Sequence, residues 1–243
     1  MIGIVGGMGP LASAEFVKTI YEAAAAAVEQ DAPRVILYSD PTMPDRTEAI
    51  LTGRDEALAA RLSDVLRWLE SQQVTTVVIC CVTIHYLVPR LPAPLRARVL
   101  SLVDVILEEV LQRRRRYLLL CTTGARASGA FDDHPLWDRA RPWIVMPSAE
   151  DQRRVHDLIY RLKRNRPLDE TRPCLDALVA GYEVDGFIAG CTELHMLAKR
   201  VRETDARVGW ECLDPLATIA RTVARLPQPF VSEVTCADSS PCH

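Results

Sequence analysis

The stretch Thr76–His85, TVVICCVTIH, has an echo 110 residues further on in Asp185–His195, DGFIAGCTELH. In the first, the β-branched run Thr76, Val77, Val78 and Ile79 leads into Cys80 and Cys81, with Thr83 and His85 close behind. In the second, an apolar run reaches Cys191, followed by Thr192 and His195. Both read as a buried strand, then a cysteine, then polar residues, with a histidine four positions after the cysteine. The echo suggests two similar α/β halves, each presenting one cysteine at the carboxyl end of a strand. That edge is where open parallel sheets bind ligands. If the halves face each other, Cys81 and Cys191 line one cleft. Side chains alternate along a strand, so Cys80 is expected to point away from Cys81 and pack in the core.

Working outward, short apolar runs alternate with amphipathic helices. Strands are expected at Ile2–Val5, Val35–Tyr38, Val74–Cys80, Tyr117–Cys121, Trp143–Met146 and Gly186–Ala189. Helical periodicity spans 54–70, 95–112, 150–164 and 171–182, each with one apolar face. A last helix opens at DPLATIARTV, with Asp214 as N-cap and Pro215 at the first helical position. Strand–helix alternation predicts parallel sheets with helices outside. The expected fold is α/β: two similar three-layer αβα lobes with mainly parallel sheets and the active site in the cleft between them. Residues 1–97 with 210–226 are assigned to the first lobe and 98–209 to the second. Residues 227–243 are read as a loose tail, and its Cys236 and Cys242 as surface thiols without a role.

The 243 residues are 49% hydrophobic and 25% charged, enough apolar sequence for a real core. A net charge of −3 leaves no footprint for nucleic acid or an acidic membrane. The basic run Arg113–Arg116 suits a helix C-terminus. No apolar run approaches the roughly 20 residues that span a bilayer. Met1 is followed at once by IGIVGG with no basic leader, and none of the eight cysteines forms a C-x-x-C pair. The expectation is a cytoplasmic protein with reduced thiols.

After the first strand, GIVGGMGPLASAEF opens a helix. Gly7-x-Gly9-x-x-Ala12 formally matches a dinucleotide fingerprint, but the acidic residue ending the second strand, Asp40, stands 28 positions after Ala12 instead of about 20. What remains is either a tight strand-to-helix turn or a loop whose backbone N–H groups hold a small anion such as a carboxylate.

Five segments in order then resemble the aspartate/glutamate racemase family, in its aspartate racemase branch: GIVGGMGPLAS, DPTMPDRTEAIL, CVTIH, LLLCTTGARASGAF and AGCTEL. The resemblance runs to about Ala224. It implies an enzyme without cofactor or metal that interconverts the L- and D-forms of an acidic amino acid, most simply aspartate, as a homodimer. Cys81 and Cys191 match the two catalytic cysteines. Arg46 matches the arginine that holds the distal carboxylate, and Lys163, in IYRLKRN, a second cationic contact. Thr83 and Thr192 match residues around the α-amino and α-carboxylate groups; Gly7, Met8 and Thr122 belong to matching substrate-binding segments. Val82 and Ile84 depart from the usual Cys-Asn-Thr-Ala-His. A valine at 82 cannot make the hydrogen bond of that asparagine, which puts the substrate in question more than the chemistry.

The chemistry needs one group to take a weakly acidic α-hydrogen from one face and another to return a proton to the other. A thiol, with a pKa near 8.5, serves in either direction. Both cysteines are expected at helix starts, where the thiolate is favoured. His85 and His195 are candidates to tune the thiols or to pack locally. Glu193 is a candidate for proton handling or a first-turn acid that stabilises its helix. Asp45 reads as a turn former. Cys81-x-x-x-His85 and Cys191-x-x-x-His195 also permit a Cys₂His₂ zinc centre. Related folds decarboxylate malonates or isomerise maleate, and a drifted binding homologue is a further alternative.

Overall fold

In a computed structural model, described for residues 1–24, 28–205 and 209–225, the chain builds two four-stranded sheets with all pairs parallel. The first comprises β1 (Ile2–Gly6), β2 (Val35–Ser39), β3 (Thr76–Ile79) and β4 (Val99–Leu100), in the order β2-β1-β3-β4. The second comprises β5 (Tyr117–Cys121), β6 (Ile144–Val145), β7 (Gly186–Gly190) and β8 (Glu211–Leu213), in the order β6-β5-β7-β8. The two orders are the same, so the short echo between the cysteine segments reflects a repeat of topology. The segment 227–243, expected to be a loose tail, lies outside the described residues, with Cys236 and Cys242.

The first lobe carries α1 (Pro10–Ala24), α2 (Arg46–Thr52), α3 (Glu56–Ser71) and the short α4 (Ala93–Arg96). Helix α5 (Leu102–Arg113) leads to the second lobe, with α6 (Thr123–Ala127), α7 (Trp137–Ala140), α8 (Ala149–Lys163), α9 (Leu168–Ala180) and α10 (Glu193–Thr204). Helix α11 (Pro215–Val223) follows β8 and packs on α1 and α5.

Two expectations are corrected. The periodic segment 95–112 is not one helix. It breaks into α4, β4 and α5, because Val77 N–H bonds to Arg98 O and strand pairing extends the first sheet. Ser101 then caps α5 by accepting from Asp104 N. Pairing with a sheet edge here outweighs local helical periodicity. The lobe boundaries shift as a result: the first sheet reaches Leu100, and β8 joins the second sheet beside β7. Of the described residues 210–225, those of helix α11 cross back and pack on α1.

Alternation along the strands sorts the core. Ile4, Val78, Cys80, Tyr117, Leu119 and Ile188 face inward and share one apolar cluster with α1, α5 and α11. Val5, Val77, Ile79 and Cys81 face α3 and the segment after Cys81. Leu118, Leu120, Phe187, Ala189 and Cys191 face α8, α9 and α10. Cys80 thus packs away from Cys81, as alternation requires. Burying each such Leu, Ile or Phe contributes about 1.5–3 kcal/mol, so the shared inner cluster ties the lobes into one unit.

Candidate active site

Cys81 and Cys191 stand just beyond the carboxyl ends of β3 and β7, each in register with the outward face of its own sheet. They are 4% and 3% exposed, so both thiols are held out of water. The Cys191 Sγ–H donates to Glu193 Oε2 at 2.8 Å. Burial, then the Glu193 carboxylate, push the Cys191 thiol well above the ordinary range, while Lys163 pulls the other way. Cys191 therefore rests as the protonated thiol.

Arg46 opens α2, whose N-cap Asp45 accepts from Glu48 N. From this first turn the guanidinium reaches inward: Nη2 donates to Met8 O at 3.1 Å and Nη1 to Pro44 O at 3.0 Å. Lys163 closes α8 from the other lobe, and its Nζ donates to the same Met8 carbonyl at 3.1 Å. It also lies 3.6 Å from Glu193 Oε1 and over the Tyr160 ring. Burial opposes both charges, yet both stay raised. Cys81, Asp45 and Glu193 favour the Arg46 cation; Glu193, Cys191 and Cys81 favour that of Lys163. Two cations converging on one neutral carbonyl have a stronger partner in an anion.

Their shared carbonyl belongs to the glycine loop. Gly7 has φ +87°, and a Cβ there would run into the Asp40 backbone, so the turn requires glycine. The Gly7 N–H donates to Ser13 Oγ, which donates in turn to the Pro10 carbonyl. Gly7 thus spends its N–H within the turn. Met8 brings its carbonyl to the cations and buries its side chain beside Cys81 in the outer core.

The threonines reach across the lobes in reciprocal fashion. Thr83, after Cys81, meets Thr122 Oγ1 at 3.0 Å; Thr122 also caps α6 by accepting from Ala125 N. Thr192, after Cys191, donates to Cys80 O at 3.3 Å. Val82 is fully buried in the inner cluster with Cys121 and Ala125.

Neither histidine bonds to a thiol. The residues after Cys81 form a 3₁₀ helix, Thr83–Arg90, whose three-residue turn rotates position i+4 away from position i. His85 Nε2 accepts from Leu102 N at 3.1 Å, so Nδ1 carries the proton and donates to Cys81 O at 2.8 Å. Burial lowers its pKa to about 4, keeping it neutral. His195, on α10, sets Nδ1 against Asp214 Oδ2 at 2.7 Å and Nε2 against Thr19 Oγ1 at 3.0 Å. The four residues of the zinc alternative point elsewhere, and among the described residues no three His, Cys, Asp or Glu side chains converge as a metal requires. The six described cysteines are free thiols.

Two partnerships escaped sequence reasoning. Tyr160 OH donates to Asp45 Oδ2 at 2.9 Å, linking α8 to the turn before Arg46. Asp214 caps α11 with Oδ1, as expected, and its other oxygen holds His195. Both join residues far apart in the chain, and nothing local marks them.

Twin parallel-sheet lobes of the same strand order, each with a buried cysteine just beyond a strand end and the two near enough to interact electrostatically, define a class of two-lobed α/β protein. The Asp/Glu/Hydantoin racemase pattern matches residues 5–223, and the chain belongs to that family. Its fold is similar to that of Picrophilus torridus aspartate racemase, with 26% identity over 92% of this chain and 93% of the other and a TM-score of 0.76. An aspartate racemase homologue from Pyrococcus horikoshii is 19% identical over 91% and 96%, at 0.64. Glutamate racemase from Campylobacter jejuni is 17% identical over 91% and 84%, at 0.59. Among the described residues no helix is long and apolar enough to cross a membrane.

Proposed function

We propose that this chain racemises an acidic amino acid, aspartate first, by proton transfer between Cys81 and Cys191 without a cofactor. The observation that carries the reading is the convergence of Arg46 and Lys163, one from each lobe, on a single carbonyl beside both thiols. A substrate carboxylate replaces that carbonyl as their partner, and Arg46 suits a two-pronged grip on the distal group. The α-carbon then lies between the cysteines.

With Cys191 holding its proton toward Glu193, Cys81 acts as base in one direction: its thiolate takes the α-hydrogen while the Cys191 thiol delivers its proton to the opposite face. In the reverse direction the roles exchange. Glu193 steadies the Cys191 proton, and the fixed cations stabilise the carboxylate of the carbanion as its charge grows. His85 braces the Cys81 backbone against α5 in this scheme, a positioning part. The lobes are closed over the thiols, so entry requires the contacts Tyr160–Asp45 and Thr83–Thr122 to part.

The test is incubation with single L-amino acids in D₂O without added cofactor, following the α-hydrogen by NMR. Loss of the aspartate signal together with appearance of D-aspartate is expected. Retention of the α-hydrogen across acidic amino acids would refute the proposal.

A further inference from the structure

Two buried side-chain atoms of the site have no hydrogen-bond partner among the described residues, and they are of opposite character: the donor Arg46 Nε and the acceptor Glu193 Oε1. Buried polar atoms are ordinarily paired, and an orphan is unfavourable unless something else meets it. The Arg46 atom suits the carboxylate already assigned to it. The Glu193 oxygen lacks any assignment. Glu193 is 1% exposed, so water does not serve it readily.

We infer that Glu193 Oε1 receives the α-ammonium of the substrate, and that through it the site selects acidic α-amino acids over dicarboxylates lacking the amine. This rests on the reading of the chain as an acidic amino-acid racemase, and names the group that recognises the amine.

Geometry carries the inference. Oε2 of the same carboxylate accepts the Cys191 S–H at 2.8 Å. An ammonium seated on Oε1 therefore holds its own carbon next to the thiol, and in an α-amino acid that carbon bears the hydrogen to be moved. Gly9 keeps the approach open, since a Cβ there would collide with Oε1. Lys163 Nζ stands 3.6 Å from Oε1, near enough for attraction but without a hydrogen bond. An arriving ammonium takes its place, and Lys163 turns to the carboxylate.

Charge matches in the same way. Arg46 and Lys163 supply two cations and Glu193 one anion. An acidic amino acid brings two carboxylates and one ammonium, so each charge finds a partner. A dicarboxylate without an amine sets Glu193 against an anion. A neutral amino acid leaves one cation unpaired.

The experiment is calorimetric titration of the full chain and its E193Q variant with L-aspartate and with succinate, which is aspartate without the amine. The wild type should bind aspartate at least about tenfold more tightly than succinate, and E193Q should weaken aspartate by about 10- to 150-fold, the range for a hydrogen bond to a charged group, while succinate holds or tightens. Retained succinate binding also reports that E193Q is folded. If it does not fold, E193D, which keeps the charge on a shorter arm, should show the same selective weakening of aspartate. Unchanged aspartate affinity in the variant, as expected were Glu193 only a proton handler, overturns the inference. Equal loss of both ligands also overturns it, since Glu193 would then merely shape the pocket. A wild type that binds succinate as tightly as aspartate removes instead the acidic amino-acid reading beneath it, before any variant is considered.

Discussion

Cys81 and Cys191 end equivalent strands of two sheets with the same order, yet the chain beyond each takes a different path. After Cys191 comes a regular helix, α10, whose first residue, Glu193, turns its carboxylate onto the thiol. After Cys81 comes a 3₁₀ helix, whose His85 bonds to the cysteine carbonyl instead of its sulfur. The cation opposite Cys81 arrives from elsewhere, on the first turn of α2. The repeat therefore fixes where the thiols stand, while the groups laid against each of them differ. One thiol holds its proton against an anion; the other faces a guanidinium. A racemase needs its two bases on opposite faces of the substrate, but it does not need them to be copies.

The largest expected effect tests whether both halves are required. Cys81→Ala and Cys191→Ala should each lower racemisation of aspartate by about 10²- to 10⁴-fold, the usual weight of a positioned acid or base. Wild-type turnover in either variant would break the pairing of the two segments. Cys80→Ala, a change in the inner core, should reduce stability and leave turnover near normal.

Next comes the cation pair. Arg46→Ala should lower kcat/KM for aspartate by about 10- to 150-fold, as loss of a charged hydrogen bond predicts. Neutral amino acids should suffer less. Equal losses would remove Arg46 from the distal carboxylate and shift that role to Lys163.

A third prediction separates the histidines. His85 has a folded-state pKa of about 4 against about 6.5 when unfolded. As pH falls below 6.5 the unfolded chain takes up the proton first, so stability is full above that value and is lost progressively down to pH 4. The loss amounts to roughly 3 kcal/mol, read from urea unfolding across that range. His85→Gln should flatten this slope. A slope that survives the substitution would assign it elsewhere.

The smallest effect concerns closure. Tyr160→Phe removes the bond to Asp45 between the lobes and should cost about 0.5–1.5 kcal/mol of stability. A rise in KM with kcat kept would tie that contact to the closed state.

Much of this was legible along the chain. Buried strands announce themselves by unbroken apolar runs, and Tyr117–Cys121 begins and ends where those runs do. The Asp214 cap and the separation of Cys80 from Cys81 follow from local rules of helix ends and strand alternation. The strand Val99–Leu100 was hidden, because two residues carry no period and their neighbours continue a helical one. Strand β8 was hidden likewise, since its partner β7 is fixed by sheet pairing. At the site, the residue types and their order were readable, while their bonds were not. His85 and His195 share the same spacing from a cysteine and make unrelated contacts.

By itself, the sequence determined the twofold α/β plan, the two thiols at strand ends and the absence of a charge pattern for nucleic acid. Those properties depend on period, alternation and composition, which act between residues close in the chain. Only the tertiary structure decided that Arg46 and Lys163 meet at Met8, that the Cys191 thiol donates to Glu193, and that Oε1 of that glutamate has no hydrogen-bond partner among the described residues. The meeting at Met8 depends on where one lobe lies against the other, which is set by the shared core and the hydrogen bonds between the lobes, and the Glu193 contacts depend on how the first turn of α10 is packed.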